Sequence, residues 1–270
     1  MPRIPPFFLY YGAKWRAAPL YPQPVYKTII EPFAGAAGYS MNYPDRDVYL
    51  IDKNPIIVGL WDYLIHVSEA EVLSLPLMGP YDSVDDLDVC QEAASLIGFW
   101  LNNGVDHPCR VYSKRNVERM LGMLGMWSGH SCWSDVIRSR VAENLKHIRH
   151  WRCTEGDYWS LEPISPSVTW FVDPPYANLA GKHYPYSDVD YRELAAWCES
   201  IEGQVIVCEN EGATWLPFEF LAEIHADGSA KGHVRSNEAI WIKDAGIVWP
   251  EECEEAVTMR PGSRPMFFPE

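Results

Sequence analysis

Thr169-Trp170-Phe171-Val172-Asp173-Pro174-Pro175-Tyr176 sets a β-prone, apolar run directly against an acid, two prolines and a tyrosine. Proline cannot donate to a sheet ladder and holds φ near −65°, so a strand over 169–172 has to stop there. Asp173 precedes a proline and is biased to extended geometry. The product is a stiff corner at the C-terminal end of a strand, carrying one carboxylate, free carbonyls and an aromatic ring. In an open α/β sheet that edge is where ligands bind. An ordinary Pro-Pro turn accounts for the same eight residues, so the rest of the chain has to decide.

Upstream, residues 25–30 form a short β-prone run that ends in Glu31-Pro32-Phe33-Ala34-Gly35-Ala36-Ala37-Gly38, whose small residues are expected to lead into a helix. Residues 47–52 predict a second strand ending in Asp52. Asn54-Pro55 then starts a helix carrying Ile56, Ile57, Leu60, Tyr63 and Leu64. From 76 to 150 the pattern turns mainly helical, over 91–102, 115–126 and 134–150. Alternation resumes with a helix over 191–200 and strands over 204–208 and 239–242. These signals predict an α/β, Rossmann-like fold with a mostly parallel, seven-stranded-type sheet. Residues 1–75 and 151–249 form its catalytic body, 76–150 a helical insertion and 250–270 an acidic tail.

The net charge of −15 argues at first against a nucleic-acid partner, because phosphate contacts supply most of such affinity. Its distribution argues the other way. Residues 1–30 carry +4 with no acid and residues 110–152 carry +6, which leaves −25 on the remainder. A basic segment in an acidic body is the footprint of a polyanion partner, or else a solvated helix face. Seven cysteines, odd in number and without a C-x-x-C pair, fit reduced thiols. His107, Cys109, His130 and Cys132 repeat an H-x-C pair, a weak zinc signal outweighed by solitary residues. No apolar run approaches about 18 residues and the N-terminus lacks a signal-peptide pattern, so a cytoplasmic, membrane-free protein is expected.

Four stretches, in order, now bear on function: Tyr10-Tyr11-Gly12-Ala13-Lys14, the loop 31–38, Asp52, and Asp173-Pro174-Pro175-Tyr176. In this the chain resembles the Dam-like, S-adenosylmethionine-dependent DNA N6-adenine methyltransferases. The likeness is carried by motifs over roughly residues 7–245; Ala13 stands where the family has a second glycine and Tyr10 where it has tryptophan. It implies an enzyme acting on double-stranded DNA, with target recognition in 76–150; the compact chain is expected to be a solitary enzyme of phage type. It also implies cofactor contacts from Tyr10, Tyr11, Lys14, Glu31, Pro32, Phe33, Ala34, Gly35 and Asp52, with Lys14 on the methionine carboxylate. Gly156-Asp157-Tyr158 resembles the segment that sets Asp157 and Tyr158 around the cofactor adenine.

Physical chemistry supports these roles residue by residue. Gly35 and Gly38 admit close backbone approach. A carboxylate at Asp52 can hold two ribose hydroxyls, or else cap the following helix. Lys14 can equally be a snorkelling surface lysine. An exocyclic adenine amine is a weak nucleophile; acceptors for both its N–H groups favour a pyramidal nitrogen. Asp173 and the Pro174 carbonyl are two such acceptors on a rigid corner, with Pro175 completing it. Tyr176 is expected to stack on a base swung out of the duplex. Arg110, Lys114, Arg115, Arg119, Arg138 and Arg140 are candidate phosphate contacts, as are Lys182 and His183 in the loop over 177–190, which is either a mobile segment expected to close on substrate or a plain connection. Trp127 and Trp133 can wedge, stack or pack. Two alternatives stay open: the same chemistry on RNA, and a silent nucleic-acid-binding relative.

Overall fold

β4 (Val168–Val172) is buried at all five positions, as the apolar run predicts for a strand covered on both faces. A computed structural model describes residues 3–123, 132–161, 166–229 and 232–243. In it β4 lies mid-sheet, between β1 (Thr28–Glu31) and β5 (Gln204–Asn210). Beyond β1 come β2 (Asp47–Asp52) and β3 (Arg152–Glu155). Beyond β5 come β7 (Gly232–Lys243) and β6 (Glu219–Ser229), giving the order β3-β2-β1-β4-β5-β7-β6. β1 to β5 pair in parallel, and β7 alone runs against its neighbours. The mostly parallel, seven-stranded α/β sheet expected from the sequence is therefore present.

Strand alternation sorts the core into two layers. Ile29, Leu50, Phe171 and Ile206 face one cluster, which holds α1 (Pro55–His66), α3 (Gln91–Leu101) and α5 (Asp135–Asn144). Their neighbours Ile30, Ile51, Trp170 and Val207 face the other cluster, with Leu194 and Cys198 of α6 (Tyr191–Ser200). Helix starts follow capping rules. Asn54 Oδ1 accepts the Ile56 N–H at 3.0 Å with Pro55 in the first turn, and Asp190 accepts from Arg192 and Glu193. Trp61 of α1 is wholly buried against Phe7, Phe8 and Trp151.

The chain crosses from β1 to β2 by turns and a 3-10 turn (Ser40–Asn42), not by the helix expected after residue 38. Local small residues favoured a helix, but the segment is drawn instead into close packing with residues 14–15. β3, β6 and a short helix α2 (Glu69–Ser74) carried no clear periodic signal. Residues 76–150 supply α3, α4 (Lys114–Met120) and α5, and α3 and α5 share one continuous core with α1 and the sheet. The tail over 250–270 and Trp127 lie outside the described residues. Among the described residues no helix is long and apolar enough to cross a membrane.

Candidate active site

The chain leaves β1 toward β2 on one side and later returns to place β4 on the other. The strand order reverses between β1 and β4, which opens a crevice at their C-terminal ends. Each parallel strand delivers a carboxylate to that edge: Glu31 from β1, Asp52 from β2, Glu155 from β3, Asp173 just past β4 and Glu209 near the end of β5. A cleft of about 760 Å³, open solvent at its mouth included, is lined there by residues 10–14, 31–36, Asp52, Asp157, Asp173 and Pro175.

The glycine loop is shaped from three directions. Gly35 takes φ 44°, its N–H donates to Asp52 Oδ2 at 2.9 Å, and its carbonyl accepts from Trp61 Nε1 at 2.8 Å. Asp52 Oδ1 accepts the Asn54 N–H at 2.8 Å, so Asn54 rather than Asp52 caps α1. Burial raises the Asp52 carboxyl above its ordinary range, against the pull of those two N–H groups. Ala37 sits at φ 49°, a left-handed conformation that costs a non-glycine residue about 1–2 kcal/mol. A Cβ on Gly38 would come within 2.5 Å of the Trp15 nitrogen and 2.7 Å of the Lys14 nitrogen. This missing side chain is what lets the segment bearing Lys14 lie across the sheet edge.

Lys14 is only 7% exposed, so it is not a snorkelling surface lysine. Its ammonium straddles the Asp173 carboxylate, 2.8 Å from Oδ1 and 3.0 Å from Oδ2, and also donates to the Gly12 carbonyl at 3.1 Å. The partner expected for it was a cofactor carboxylate; here its partner is the carboxylate of Asp173. Hydrogen-bond geometry is met at Oδ2 alone, so buried Oδ1 accepts no hydrogen bond. Burial pushes the Asp173 carboxyl up to about 6, with Lys14 opposing and Glu238 and Glu209 adding to the rise. Burial also pulls the Lys14 ammonium down, but Asp173 and Glu238 outweigh it and hold it protonated.

The two prolines divide their carbonyls. That of Pro175 accepts the Tyr191 hydroxyl at 2.7 Å, whereas no hydrogen bond reaches that of Pro174 among the described residues. Tyr176 does not line the cleft. It packs half-buried against the core with the Lys14 ammonium 4.7 Å from its ring centroid, and its hydroxyl donates to Glu238 Oε2 at 2.5 Å. Tyr158 is likewise a core residue, stacked on Phe33 at 5.8 Å and edge-on to Trp197, while Asp157 lines the cleft and pairs with Lys53 at 2.6 Å. Glu31, held by the Ser40 N–H at 2.7 Å, is pushed up to about 8 by burial.

The segment after the corner is folded onto the N-terminal motif. Tyr184 donates its hydroxyl to the Tyr11 carbonyl at 3.0 Å, and His183 packs edge-on to Tyr11 at 5.6 Å. Gly12, at φ 72°, leaves room for Tyr184, and Gly181 for the Tyr176 backbone. Glu209 pins the same segment by accepting the Ala177 N–H at 3.0 Å. Lys182 and His183 remain exposed.

The basic residues of 110–152 do not act alike. Arg110, Lys114 and Arg115 are exposed, Arg110 pairing loosely with Asp85 at 3.1 Å; Arg119 is partly buried. Arg138 and Arg140 are corrections to the expected phosphate set. Arg138 ties α5 to the Leu75 carbonyl at 2.5 Å and to Asp135, and Arg140 lies over the Trp100 ring at 5.0 Å. Trp133 is core, its Nε1 donating to the Pro76 carbonyl at 2.8 Å. Of the H-x-C residues, His107 pairs with Asp106, Cys132 is buried, and His130 lies outside the described residues. No group of three metal-ligating side chains converges among the described residues.

Glu209, Glu238 and Tyr184 were missed by sequence reasoning. Glu209 had a signal, an acid closing an apolar strand, as at Asp52. No protein-family model matches the chain, and no curated protein matches it by sequence.

Proposed function

We propose that this protein is an S-adenosylmethionine-dependent DNA methyltransferase acting on the N6 amine of adenine. The observation that carries the proposal is the pair of oxygen acceptors without a well-aligned donor at the corner after β4. Asp173 Oδ1, 2.8 Å from the Lys14 ammonium, accepts no well-aligned hydrogen bond, and among the described residues none reaches the adjoining Pro174 carbonyl; Asp173 and Pro175 line a cleft shared with the glycine loop and Asp52. A primary amine bears two N–H groups, and two rigid acceptors suit it.

The residues fit the cofactor that the sequence resemblance implies. Asp52 retains lone pairs after accepting two N–H groups, Phe33 offers a ring, and Gly12, Gly35 and Asp157 lie at the cleft wall. When bound, S-adenosylmethionine supplies an electrophilic methyl group. The protein's part is to hold the amine. Oδ1 of Asp173 accepts one N–H and the Pro174 carbonyl the other, which turns the nitrogen lone pair outward. Lys14 keeps its hydrogen bond to Oδ2 throughout and so holds the carboxylate in place and ionised at neutral pH. The half-buried Tyr176 ring beside the corner is assigned to the base, and the segment bearing Tyr184 helps to exclude water. Exposed Arg110, Lys114 and Arg115 meet the phosphate backbone.

Tritium-labelled cofactor, unmethylated genomic DNA and nucleoside chromatography test the reading, with RNA run in parallel. Label is expected on N6-methyldeoxyadenosine. Label on RNA alone, or on neither, overturns it.

A further inference from the structure

The chemistry just described leaves unassigned a buried acid beside its principal residues. Glu238 lies on β7, opposite Asn210 of β5 and Ala222 of β6, and is 5% exposed. Its Oε2 accepts two phenolic hydroxyls, from Tyr21 at 2.9 Å and from Tyr176 at 2.5 Å. The second distance is that of a charge-assisted O–H···O⁻ bond, about twice as strong as a neutral one.

A carboxylate so deeply buried is expensive to keep, and an apolar residue of similar volume packs a sheet face at less cost. What Glu238 gains in return is geometric. Through Tyr21 it holds the segment that follows Lys14, and through Tyr176 it holds the last residue of the corner. Tyr21 is itself braced edge-on against Phe171, 5.3 Å between centroids, and Phe171 stacks on Tyr39 at 4.1 Å. Three stretches far apart in sequence thus meet on one carboxylate.

We propose that Glu238 is a positioning residue for the methyl-acceptor base. It sets the plane of the Tyr176 ring through the phenolic hydroxyl. This rests on the methyltransferase reading, and it places the effect of Glu238 on the nucleic-acid side of the reaction rather than the cofactor side.

The test compares Glu238→Ala, Glu238→Gln, Tyr176→Phe and the Tyr176→Phe/Glu238→Ala double variant by kcat, KM for DNA and calorimetric affinity for S-adenosylmethionine. Glu238→Ala is expected to lower kcat/KM for DNA about tenfold, the size of one lost charged hydrogen bond, with cofactor affinity within about twofold. Glu238→Gln, which keeps an oxygen acceptor, is expected to recover most of the loss. The double variant is expected to be no worse than the poorer single one, because both substitutions break the same bond. An unchanged Glu238→Ala, strictly additive losses, or cofactor affinity falling in step with the DNA parameters would overturn the assignment. Should Glu238→Ala fail to fold, the volume-preserving Tyr176→Phe carries the test and must show the DNA-side loss. Wild-type protein that binds the cofactor yet labels no nucleic acid removes the methyltransferase reading, and the positioning role with it. Wild-type protein that labels DNA no faster than Glu238→Ala removes the positioning role alone.

Discussion

The cleft edge of the sheet and the basic stretch over 110–152 looked equally informative in sequence, and they fared differently in three dimensions. At the cleft, Lys14, Gly35, Asp52 and Asp173 come from four separate segments and converge on one crevice. In the basic stretch, residues of one chemical type diverge. Arg138 and Arg140 are spent on the Leu75 carbonyl and the Trp100 ring, whereas Arg110, Lys114 and Arg115 face solvent. The difference lies in what each motif specifies. A strand ending in an acid has a location dictated by sheet topology. A basic residue on an amphipathic helix faces inward or outward by a single helical step.

The largest expected effect breaks the cleft. Asp173→Ala should reduce methyl transfer by on the order of 10²–10³-fold, as for loss of one preorganised electrostatic group, while calorimetric cofactor affinity changes little. Equal loss of both would return Asp173 to a structural role. Next in size are two alanines that separate the regions. Gly38→Ala drives a Cβ into the backbone of residues 14–15 and should destabilise by about 1–3 kcal/mol in urea unfolding. Gly104→Ala, at φ 70° but with nothing within 4 Å, should lose only about 1 kcal/mol, from backbone strain. Equal losses would mean that the Gly38 contact carries no weight.

The pH profile sharpens the account of the ion pair. On the methyltransferase reading Asp173 accepts the amine N–H most strongly when ionised, and burial pushes its carboxyl up to about 6, so kcat should fall as pH drops through about 6. Lys14 opposes that rise, so Lys14→Met should move the acid limb to higher pH; a limb that stays in place would deny the pairing its electrostatic role. Smaller still are the arginines. Arg110→Ala and Arg115→Ala should each flatten the salt dependence of DNA affinity by about one unit of slope, with stability unchanged. Arg138→Ala should do the reverse, lowering stability by about 1–2 kcal/mol through its lost carbonyl contact and leaving the salt slope alone. The smallest effect is a gain. Ala37→Gly relieves a positive φ and should raise stability by about 1 kcal/mol in the same unfolding assay.

Much of the fold was legible. Residues 191–200 were expected as a helix and form α6, residues 47–52 form β2, and Asn54-Pro55 starts α1. These elements carry their own stop signals, in caps, prolines and β-branched runs. β3 and β6 were not legible, because β3 is a four-residue edge strand with little burial and β6, among the described residues, pairs only with β7. The helix expected after residue 38 failed because small residues suit close packing as well as they suit helices. At the site, Tyr158 was assigned to cofactor contact from a three-residue resemblance, which cannot distinguish a stacking surface from core.

The sequence by itself determined where strands end and which acids stand at their ends. Those choices depend on neighbours within a few residues: a proline that cannot donate, a glycine free to take positive φ, an apolar run long enough to bury. Only the tertiary structure decided what those groups touch. Lys14 meets Asp173 across 159 positions, and Tyr176 meets Glu238 across 62. Such pairs are set by strand order and by the shared burial of polar partners, and neither leaves a local pattern in the chain.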